Sequence, residues 1–206
     1  MAYQLKKIIR YFLMLTGITI LFIFCYLRFG GYIITNKEER QQLFKDIKLA
    51  PKLPDNFLKV YKTLYPEALN NNGWHYLFTN EGFYKQIESP SVEMAILYGQ
   101  TRLHGSFGYF VQYNFMIEDN ITQEQCLNRI LQVTDFGRGI IGVEEASKQY
   151  FHKPLKMLSD MKTLEIITRI QNPQLYDKQR RPKIFEDRLN TLKNQFRKNK
   201  SELLKS

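Results

Sequence analysis

The chain has 206 residues, which is enough for one domain and a membrane anchor. Thirty Lys and Arg residues against twenty Asp and Glu residues give a formal charge of +10, which suits an anionic partner such as phospholipid, pyrophosphate or nucleic acid. The two cysteines, Cys25 and Cys126, lie in an apolar span and on an amphipathic helix, so no disulfide is expected. No cysteine–histidine cluster indicates a structural metal.

An uncharged apolar stretch lies close to the N-terminus. Residues 11–27 are mostly Leu, Ile, Phe, Met and Tyr, and at helical rise they cover about 25 Å, the short end of a bilayer crossing. The span extends to residue 34 if Arg28 turns its charge towards the interface. A cleaved signal peptide is the alternative, but no small-x-small cleavage site follows the stretch. We therefore predict a retained transmembrane helix over residues 11–34.

The basic residues around this span set its predicted orientation. Residues 1–10 contain three Lys or Arg side chains, so the positive-inside rule places them in the cytoplasm. Arg28 and Lys37 weaken this bias without reversing it. We therefore predict a single-pass protein of the inner (cytoplasmic) membrane, with the remaining domain facing the periplasm or the exterior. Nucleic acid is not an expected partner for a domain on that side.

Two short segments follow the span. Residues 35–54 are charged, with a sparse apolar face, and are predicted to form a juxtamembrane helix or linker that Pro51 and Pro54 end. Asp55 is a good N-cap residue for the next helix, whose apolar residues recur at helical spacing.

Residues 74–115 are rich in aromatic side chains. One interpretation is a core with ordinary surface tyrosines. The other is an interfacial surface that dips into lipid, because amphipathic rings favour the headgroup level. The aromatic residues are Trp74, Tyr76, Phe78, Phe83, Tyr84, Tyr98, Phe107, Tyr109, Phe110, Tyr113 and Phe115.

A capped amphipathic helix is predicted after residue 121. Thr122 and Gln125 have the spacing of a capping box. The apolar residues that follow at helical spacing form one buried face: Cys126, Leu127, Ile130 and Leu131.

Residues 135–153 are the most informative segment. Gly137, Gly139 and Gly142 fall within six positions, which indicates positive φ angles or two backbones in close contact. A helical pattern follows at once. The glycine spacing also fits a dinucleotide-binding fingerprint, but the second strand that such a site requires is missing from residues 152–158.

The same segment resembles a known family. It is similar to the stretch after the fourth motif of the family-51 glycosyltransferases, the peptidoglycan glycosyltransferases (transglycosylases) that polymerise lipid II. The resemblance covers roughly residues 117–192. The residues at the family's motif positions are Gly137, Gly139, Gly142, Glu144, Tyr150, Phe151 and Lys153.

The resemblance implies both a fold class and a function. The expected fold is mainly α, with a lysozyme-like glycosyltransferase domain over residues 55–196, one transmembrane helix before it and a basic tail over residues 197–206. The expected partners are the membrane, lipid II or a nascent glycan strand, and cell-wall synthesis proteins. An active member would join the sugar of one lipid-linked chain to the next, with undecaprenyl pyrophosphate leaving. No cofactor and no metal are expected.

Departures from the family pattern put the transfer reaction in doubt. Glu67 is the carboxylate nearest to the position of the family's catalytic base, but the motif around it is missing, as are the second and third motifs. Gln123, Ile130 and Gln132 replace the polar residues of the fourth motif. Arg188 falls on the second arginine of the fifth motif and is equally well explained as a solvated charge on a helix. The alternative function is therefore a non-catalytic scaffold (a pseudoenzyme) for cell-wall synthesis enzymes.

Overall fold

The computed structural model describes residues 2–78, 89–102 and 109–205. Within these ranges the chain forms ten α-helices and one 3₁₀ turn, Leu155–Met157, and contains no β-strand. The helices are α1 Ala2–Ile34, α2 Lys37–Lys48, α3 Asp55–Leu64, α4 Gly73–Phe78, α5 Pro90–Arg102, α6 Phe110–Glu118, α7 Gln123–Val133, α8 Val143–Phe151, α9 Asp160–Ile170 and α10 Pro182–Leu203. The predicted mainly α fold class, with a long apolar helix at the N-terminus, is confirmed.

Helix α1 has 33 residues, so it is about 50 Å long and exceeds the thickness of a bilayer core. The segment Tyr3–Ile34 is long and apolar enough to cross a membrane. Its large apolar side chains are exposed as far as Tyr26. Beyond this residue the helix becomes partly buried, because its last two turns pack against α6.

A group of polar contacts joins the end of α1 to the end of α6. Arg28 donates two hydrogen bonds to the carboxylate of Asp119, at 2.9 and 2.6 Å. The hydroxyl of Tyr32 donates to the same carboxylate at 3.0 Å. The hydrogen bonds from Arg28 are the largest cause of the lowered pKa of Asp119. A bidentate pair of this kind fixes direction as well as distance, so it sets the angle at which α1 leaves the domain.

Small residues allow α1 and α6 to approach closely. A Cβ atom on Gly31 would lie 2.4 Å from the carbonyl oxygen of Gln112 and 2.8 Å from Cβ of Met116. Gly17, in the exposed part of α1, has no atom from another part of the described structure within 4 Å of the same position. Gly31 and Gly17 therefore differ in whether a neighbouring backbone touches them.

Helix α2 belongs to the folded body. Asn36 caps it with a capping box in which Glu39 is the partner residue, and its buried side chains are Leu43 and Ile47. Of the two predicted alternatives for residues 35–54, the structure has the helix.

In the described parts of the chain two apolar clusters form the core, and α7 contributes to both. The larger one joins α3, α7, α8, α9 and α10, and its fully buried members include Phe57, Tyr61, Leu131, Leu164 and Phe185. The smaller one joins α2, α5, α6 and α7, and includes Ile47, Tyr113, Met116, Ile117 and Cys126.

Several predicted helix ends are refined by the structure. The Thr122–Gln125 capping box of α7 is confirmed. Asp55 is the first residue of α3 and Pro54 is its N-cap, so the N-cap prediction was wrong by one residue. Pro54 has a fixed φ and no N–H to satisfy, which suits the entry to a helix.

The core interpretation of the aromatic interval fits the side chains that the structure describes. Tyr98, Phe110, Tyr113 and Phe115 are buried. Trp74 stacks on Phe24 of α1, with 5.4 Å between ring centroids. The side chains of Tyr76 and Phe78 lie outside the described residues, as do Phe83, Tyr84 and Phe107 entirely.

The contact at Gly31 provides a first test. We expect Gly31→Ala to lower the free energy of unfolding by about 1–3 kcal/mol, because the new methyl group must push α1 away from α6. Gly17→Ala is the matched control and should change stability by less than about 0.5 kcal/mol. Chemical unfolding of the full chain in mild detergent measures both. Equal effects of the two substitutions would contradict this packing.

Candidate functional site

The glycine segment forms a closed loop between α7 and α8. The loop is closed by an antiparallel bridge between Asp135 and Ile141 and by a hydrogen bond from Gly142 N to Thr134 O at 2.9 Å. Gly137, Gly139 and Gly142 all have positive φ, at 97°, 75° and 90°. No parallel strands flank the loop in the described residues, so the dinucleotide-binding interpretation has no support.

Gly142 is required for a second reason. A Cβ atom at this position would lie 2.9 Å from the carbonyl oxygen of Gln132 in α7. Gly139 also has a positive φ, but apart from its chain neighbours no described atom lies within 4 Å of its Cβ position. Gly142 therefore meets both reasons proposed for the glycines, a positive φ and a close backbone, whereas Gly139 meets only the first.

A hydrogen bond from the motif residue Tyr150 of α8 holds this loop. The hydroxyl of Tyr150 donates to the carbonyl oxygen of Phe136 at 2.9 Å. The guanidinium of Arg169 lies between two rings, 4.3 Å from the centroid of Tyr150 and 4.5 Å from that of Phe185. Burial lowers the pKa of Arg169, against the opposing effects of Tyr150 and the nearby carboxylates. Stacking between aromatic faces supports such a buried cation.

The side chain of Arg138 holds the loop at its tip. Arg138 has a φ of 62° and donates to both carboxylate oxygens of Asp177, with its NH2 group at 2.9 and 3.0 Å. Its other terminal nitrogen donates to Gln179. The loop is thus tied to the segment between α9 and α10.

The remaining motif positions make local structural contacts. Glu144 accepts a hydrogen bond from Leu155 N at 3.3 Å. The carbonyl oxygen of Lys153 accepts one from Ser147 Oγ at 2.7 Å. The ammonium of Lys162 lies 5.4 Å from the centroid of Phe151. These contacts hold α8 and the turn after it.

Glu67 lies in the turn after α3, and its side chain is exposed. Its carbonyl oxygen accepts hydrogen bonds from the backbone N–H groups of Asn70 and Asn71, both at 2.9 Å. Among the contacts that the structure describes, none engages its carboxylate. The turn therefore gives Glu67 no group that would activate or orient it as a base.

Glu118 is a carboxylate that the sequence analysis did not place in a site. Its oxygens accept hydrogen bonds from Gly73 N at 2.9 and 3.1 Å, from Ser91 Oγ at 2.7 Å and from Gln123 Nε2 at 3.2 Å. These donors come from the starts of three different helices. Glu118 therefore joins α4, α5, α6 and α7: its Oε1 atom accepts from all three donors, and its Oε2 atom shares the Gly73 N–H.

Glu93 faces a cavity of about 160 Å³ between α3, α5, α7 and the end of α9. The walls include Tyr61, Leu127 and Ile170. Its Oε1 atom is buried and has no hydrogen-bond partner among the described residues. Burial raises the pKa of Glu93 to about 7. No signal in the sequence separates this glutamate from a solvated one in the first turn of a helix.

Arg188 reaches the rim of the same cavity through another side chain. Its NH2 group donates to Oε1 of Gln171 at 2.7 Å, and Gln171 lines the cavity. The guanidinium lies 6.0 Å from the centroid of Tyr176. Arg188 is half-buried, so the structure does not place it as a freely solvated charge.

No group of three or more His, Cys, Asp or Glu residues that could hold a metal ion occurs within the described ranges.

The loop geometry predicts a difference between two glycine substitutions. We expect Gly142→Ala to lower the free energy of unfolding more than Gly139→Ala, which costs about 1–2 kcal/mol for the positive φ alone. The additional loss at Gly142 comes from the contact with Gln132. Urea titration followed by circular dichroism measures both. A larger loss for Gly139→Ala would contradict the close approach.

The burial of Glu93 predicts a pH dependence. Its pKa in the folded chain, about 7, lies above the ordinary value of 4.5, so the folded state holds the proton longer than the unfolded state. The contribution of this group to the free energy of unfolding is therefore fully present below about pH 4.5. It falls as the pH rises and is gone above about pH 7. Tyr61 is the other titratable side chain lining the cavity in the described structure.

We accordingly expect the Tm of Glu93→Gln minus the Tm of the wild type to increase as the pH rises from about 5 to about 8, because only the wild type loses stability over this range. Exposed Glu202 offers the control, since Glu202→Gln should show a difference that does not depend on pH. A difference that stays constant for Glu93→Gln would show that its carboxyl is solvated.

Comparison with known proteins agrees with this architecture. The Transglycosylase family model matches residues 111–197. A biosynthetic peptidoglycan transglycosylase of Mannheimia succiniciproducens is 34% identical over 98 residues, which cover 48% of this chain and 39% of that protein. The enzyme of the same name from Thiobacillus denitrificans is 30% identical over 86 residues, 42% of this chain and 37% of that protein.

A shorter match reaches a larger protein. Penicillin-binding protein 4 of Bacillus subtilis is 35% identical over 65 residues, which cover 32% of this chain and 10% of that protein. The chain therefore matches less than half the length of these relatives. The resemblance to the peptidoglycan transglycosylases is nevertheless confirmed, and it is carried by residues 111–197 of a mainly helical chain with one N-terminal helix of membrane-crossing length.

Proposed function

We propose that this membrane-anchored, transglycosylase-like protein binds lipid II or a nascent glycan strand and does not transfer the glycan. The state of two carboxylates that the structure describes is the observation that carries the proposal. Glu118 accepts hydrogen bonds from three protein donors, and Glu67 is exposed in a turn. Glycosyl transfer needs a base within reach of a substrate hydroxyl, and neither side chain is free and oriented for that task.

The retained framework supports the binding half of the proposal. The loop after α7 keeps its three positive-φ glycines, and Tyr150 and Arg138 tie it to the neighbouring segments. Arg188 is held against Gln171 on the rim of a cavity. A fixed cation of this kind suits contact with an anionic lipid-linked substrate.

We further propose that α1 crosses the inner membrane once, with residues 1–10 in the cytoplasm. The domain proposed for residues 55–196 would then face the lipid-linked glycan on the outer side. The contacts of Arg28 and Tyr32 with Asp119 support a fixed distance between bilayer and domain. A binding site for a membrane-embedded substrate gains from such fixed geometry, because the substrate approaches in the plane of the membrane.

A scaffold for cell-wall synthesis enzymes is the second candidate function. A groove of about 500 Å³ lies between the α2–α3 connection and α8, and is lined by Leu53, Gln132, Ile141 and Lys148 among others. Ile141 is 53% exposed at its edge. Exposed apolar side chains at a groove are a feature of protein interaction sites.

Purified full-length protein in detergent tests the first proposal with lipid II as the probe. We expect measurable binding and no glycan polymer, even at high protein concentration. Arg188→Ala should weaken binding by about 10-fold, the loss of roughly one charge-assisted hydrogen bond. Arg197→Ala, an exposed cation on the same helix, should bind within about 2-fold of the wild type.

Two outcomes would contradict the proposal. Absence of lipid II binding would remove the glycan-binding function and leave the scaffold. Formation of polymer would show that transfer takes place, and Glu67→Gln would then decide whether Glu67 is the base, since an unchanged rate excludes it.

A further inference from the structure

The groove between the α2–α3 connection and α8 lies at the start of a helix. Its lining includes Gly142, which is the N-cap of α8 and has no side chain to cap it, and the first three residues of the helix, Val143, Glu144 and Glu145. The N–H of the next residue, Ala146, donates to Gly142 O at 2.9 Å. No described residue accepts a hydrogen bond from the three N–H groups before it. Three backbone donors at the positive end of the helix dipole thus remain without a protein partner in the described chain.

A buried side chain supplies a further donor. Asn128 of α7 lines the groove and is only 6% exposed. Its amide accepts a hydrogen bond from Leu53 N at 3.1 Å, and because a backbone N–H only donates, the accepting atom is the amide oxygen. No described residue accepts from the amide nitrogen, which keeps accessible surface and so opens into the groove. A buried amide that is satisfied only at its oxygen indicates a ligand that accepts a hydrogen bond.

Two lysines add positive charge to the groove. Lys52 and Lys148 line it and are exposed, and neither takes part in an ion pair within the described structure. The two carboxylates in the lining already accept hydrogen bonds: Glu145 from the next turn of α8 at 2.8 Å, and Glu144 from Leu155 N at 3.3 Å. The groove therefore presents backbone, amide and ammonium donors together, and this set suits an anionic acceptor.

The same two carboxylates limit the kind of anion. Glu144 and Glu145 place two negative charges in the first turn of α8. A phosphate monoester carries nearly two negative charges at neutral pH and a carboxylate carries one, so the repulsion is larger for the phosphate. A carboxylate is therefore the better match to the charge of this groove.

The walls of the groove indicate what the carboxylate is joined to. Leu53, Val143 and Leu155 are buried apolar residues of the lining, and Ile141 is 53% exposed at the edge. At about 500 Å³ the groove falls within the size range of ligand pockets. A peptide fragment with a carboxylate beside an apolar side chain fits the donors, the walls and the volume.

We propose that this groove binds a carboxylate of a peptide at the start of α8 and the amide of Asn128, with the adjoining apolar side chain of the peptide against Leu53 and Ile141. The carboxylate belongs to a chain end or to an acidic side chain, since both present the same acceptor. The assignment goes beyond the binding of lipid II or glycan proposed above and does not depend on it. Only the identification of the peptide with a segment of a cell-wall synthesis enzyme rests on the scaffold function.

Saturation-transfer NMR on the full chain in detergent tests the assignment with a dipeptide, acetyl-alanyl-leucine, and its C-terminal amide. The two probes have the same apolar part, so the amide controls for partition into detergent. We expect the carboxylate form to bind at least about 5-fold more tightly, the loss of a charge-assisted interaction in the amide. Equal binding of both forms, or no binding of either, would overturn the proposal.

A third probe, acetyl-leucyl-aspartamide, separates the two sources of the carboxylate. Binding of acetyl-alanyl-leucine alone assigns a chain end, binding of the aspartamide alone assigns an acidic side chain, and each result supports the proposal. Acetate and inorganic phosphate are then added as competitors. Phosphate that displaces the bound peptide at a lower concentration than acetate would overturn the assignment to a carboxylate.

Substitutions locate the bound carboxylate. Asn128→Asp keeps the acceptor for Leu53 N and replaces the donor by a like charge, so affinity should fall about 10-fold or more, with exposed Asn194→Asp as the unaffected control. Lys148→Gln should lose about 3-fold, with exposed Lys198→Gln as its control.

Thermal unfolding shows whether the Asn128 variant is folded, and Lys148→Gln decides the outcome if it is not. Unchanged affinity in folded Asn128→Asp, or in Lys148→Gln, would overturn the site. The peptide and lipid II experiments also fail separately. Peptide binding without lipid II binding contradicts the glycan-binding function and leaves the groove assignment intact, whereas lipid II binding without peptide binding contradicts the groove assignment alone.

Discussion

Helix α7 is packed on two sides, and the rest of the described structure depends on this constraint. Leu127 and Leu131 enter the larger apolar cluster, while Cys126 enters the smaller one. Its N-terminal Gln123 reaches the carboxylate of Glu118, and its C-terminal end leads into the glycine loop. A helix buried on two faces has little freedom to rotate or slide. The cavity beside Glu93 therefore has one wall of fixed position.

Gln123, at the start of α7 in the matched region, joins several helices. Gln123 donates to Ser91 and Glu118 and to the carbonyl oxygen of Asn71. The two hydrogens of its amide nitrogen are shared among these three acceptors, and the group carries no charge. The result is a network that stabilises the junction of four helices and engages Glu118 with three protein donors.

The membrane helix and the domain form one continuous unit at α1 and α6. Gly31 allows the backbones to touch, Arg28 and Tyr32 bind Asp119, and Phe24 stacks on Trp74. Apolar packing, an ion pair and ring stacking act at successive turns of one helix. Because these contacts are spread along α1, they restrict its tilt as well as its position, which a single contact would not do.

Local sequence signals determined the elements of this protein. The apolar run predicted α1, the Thr122–Gln125 spacing predicted the cap of α7, and the glycines predicted the positive-φ loop. Each of these features depends on residues a few positions apart, so backbone sterics and hydrogen bonding within one segment are sufficient to specify them.

Only the tertiary structure decided which polar groups meet. Glu118 and Gly73 are 45 residues apart in sequence, and Arg28 and Asp119 are 91 apart. Glu93, Gln171 and Arg188 come from three helices or their ends, and nothing in the spacing of the sequence joins them. Helical periodicity specifies which face of a helix is buried but not which other helix covers it, and a site shared between helices depends on the second choice.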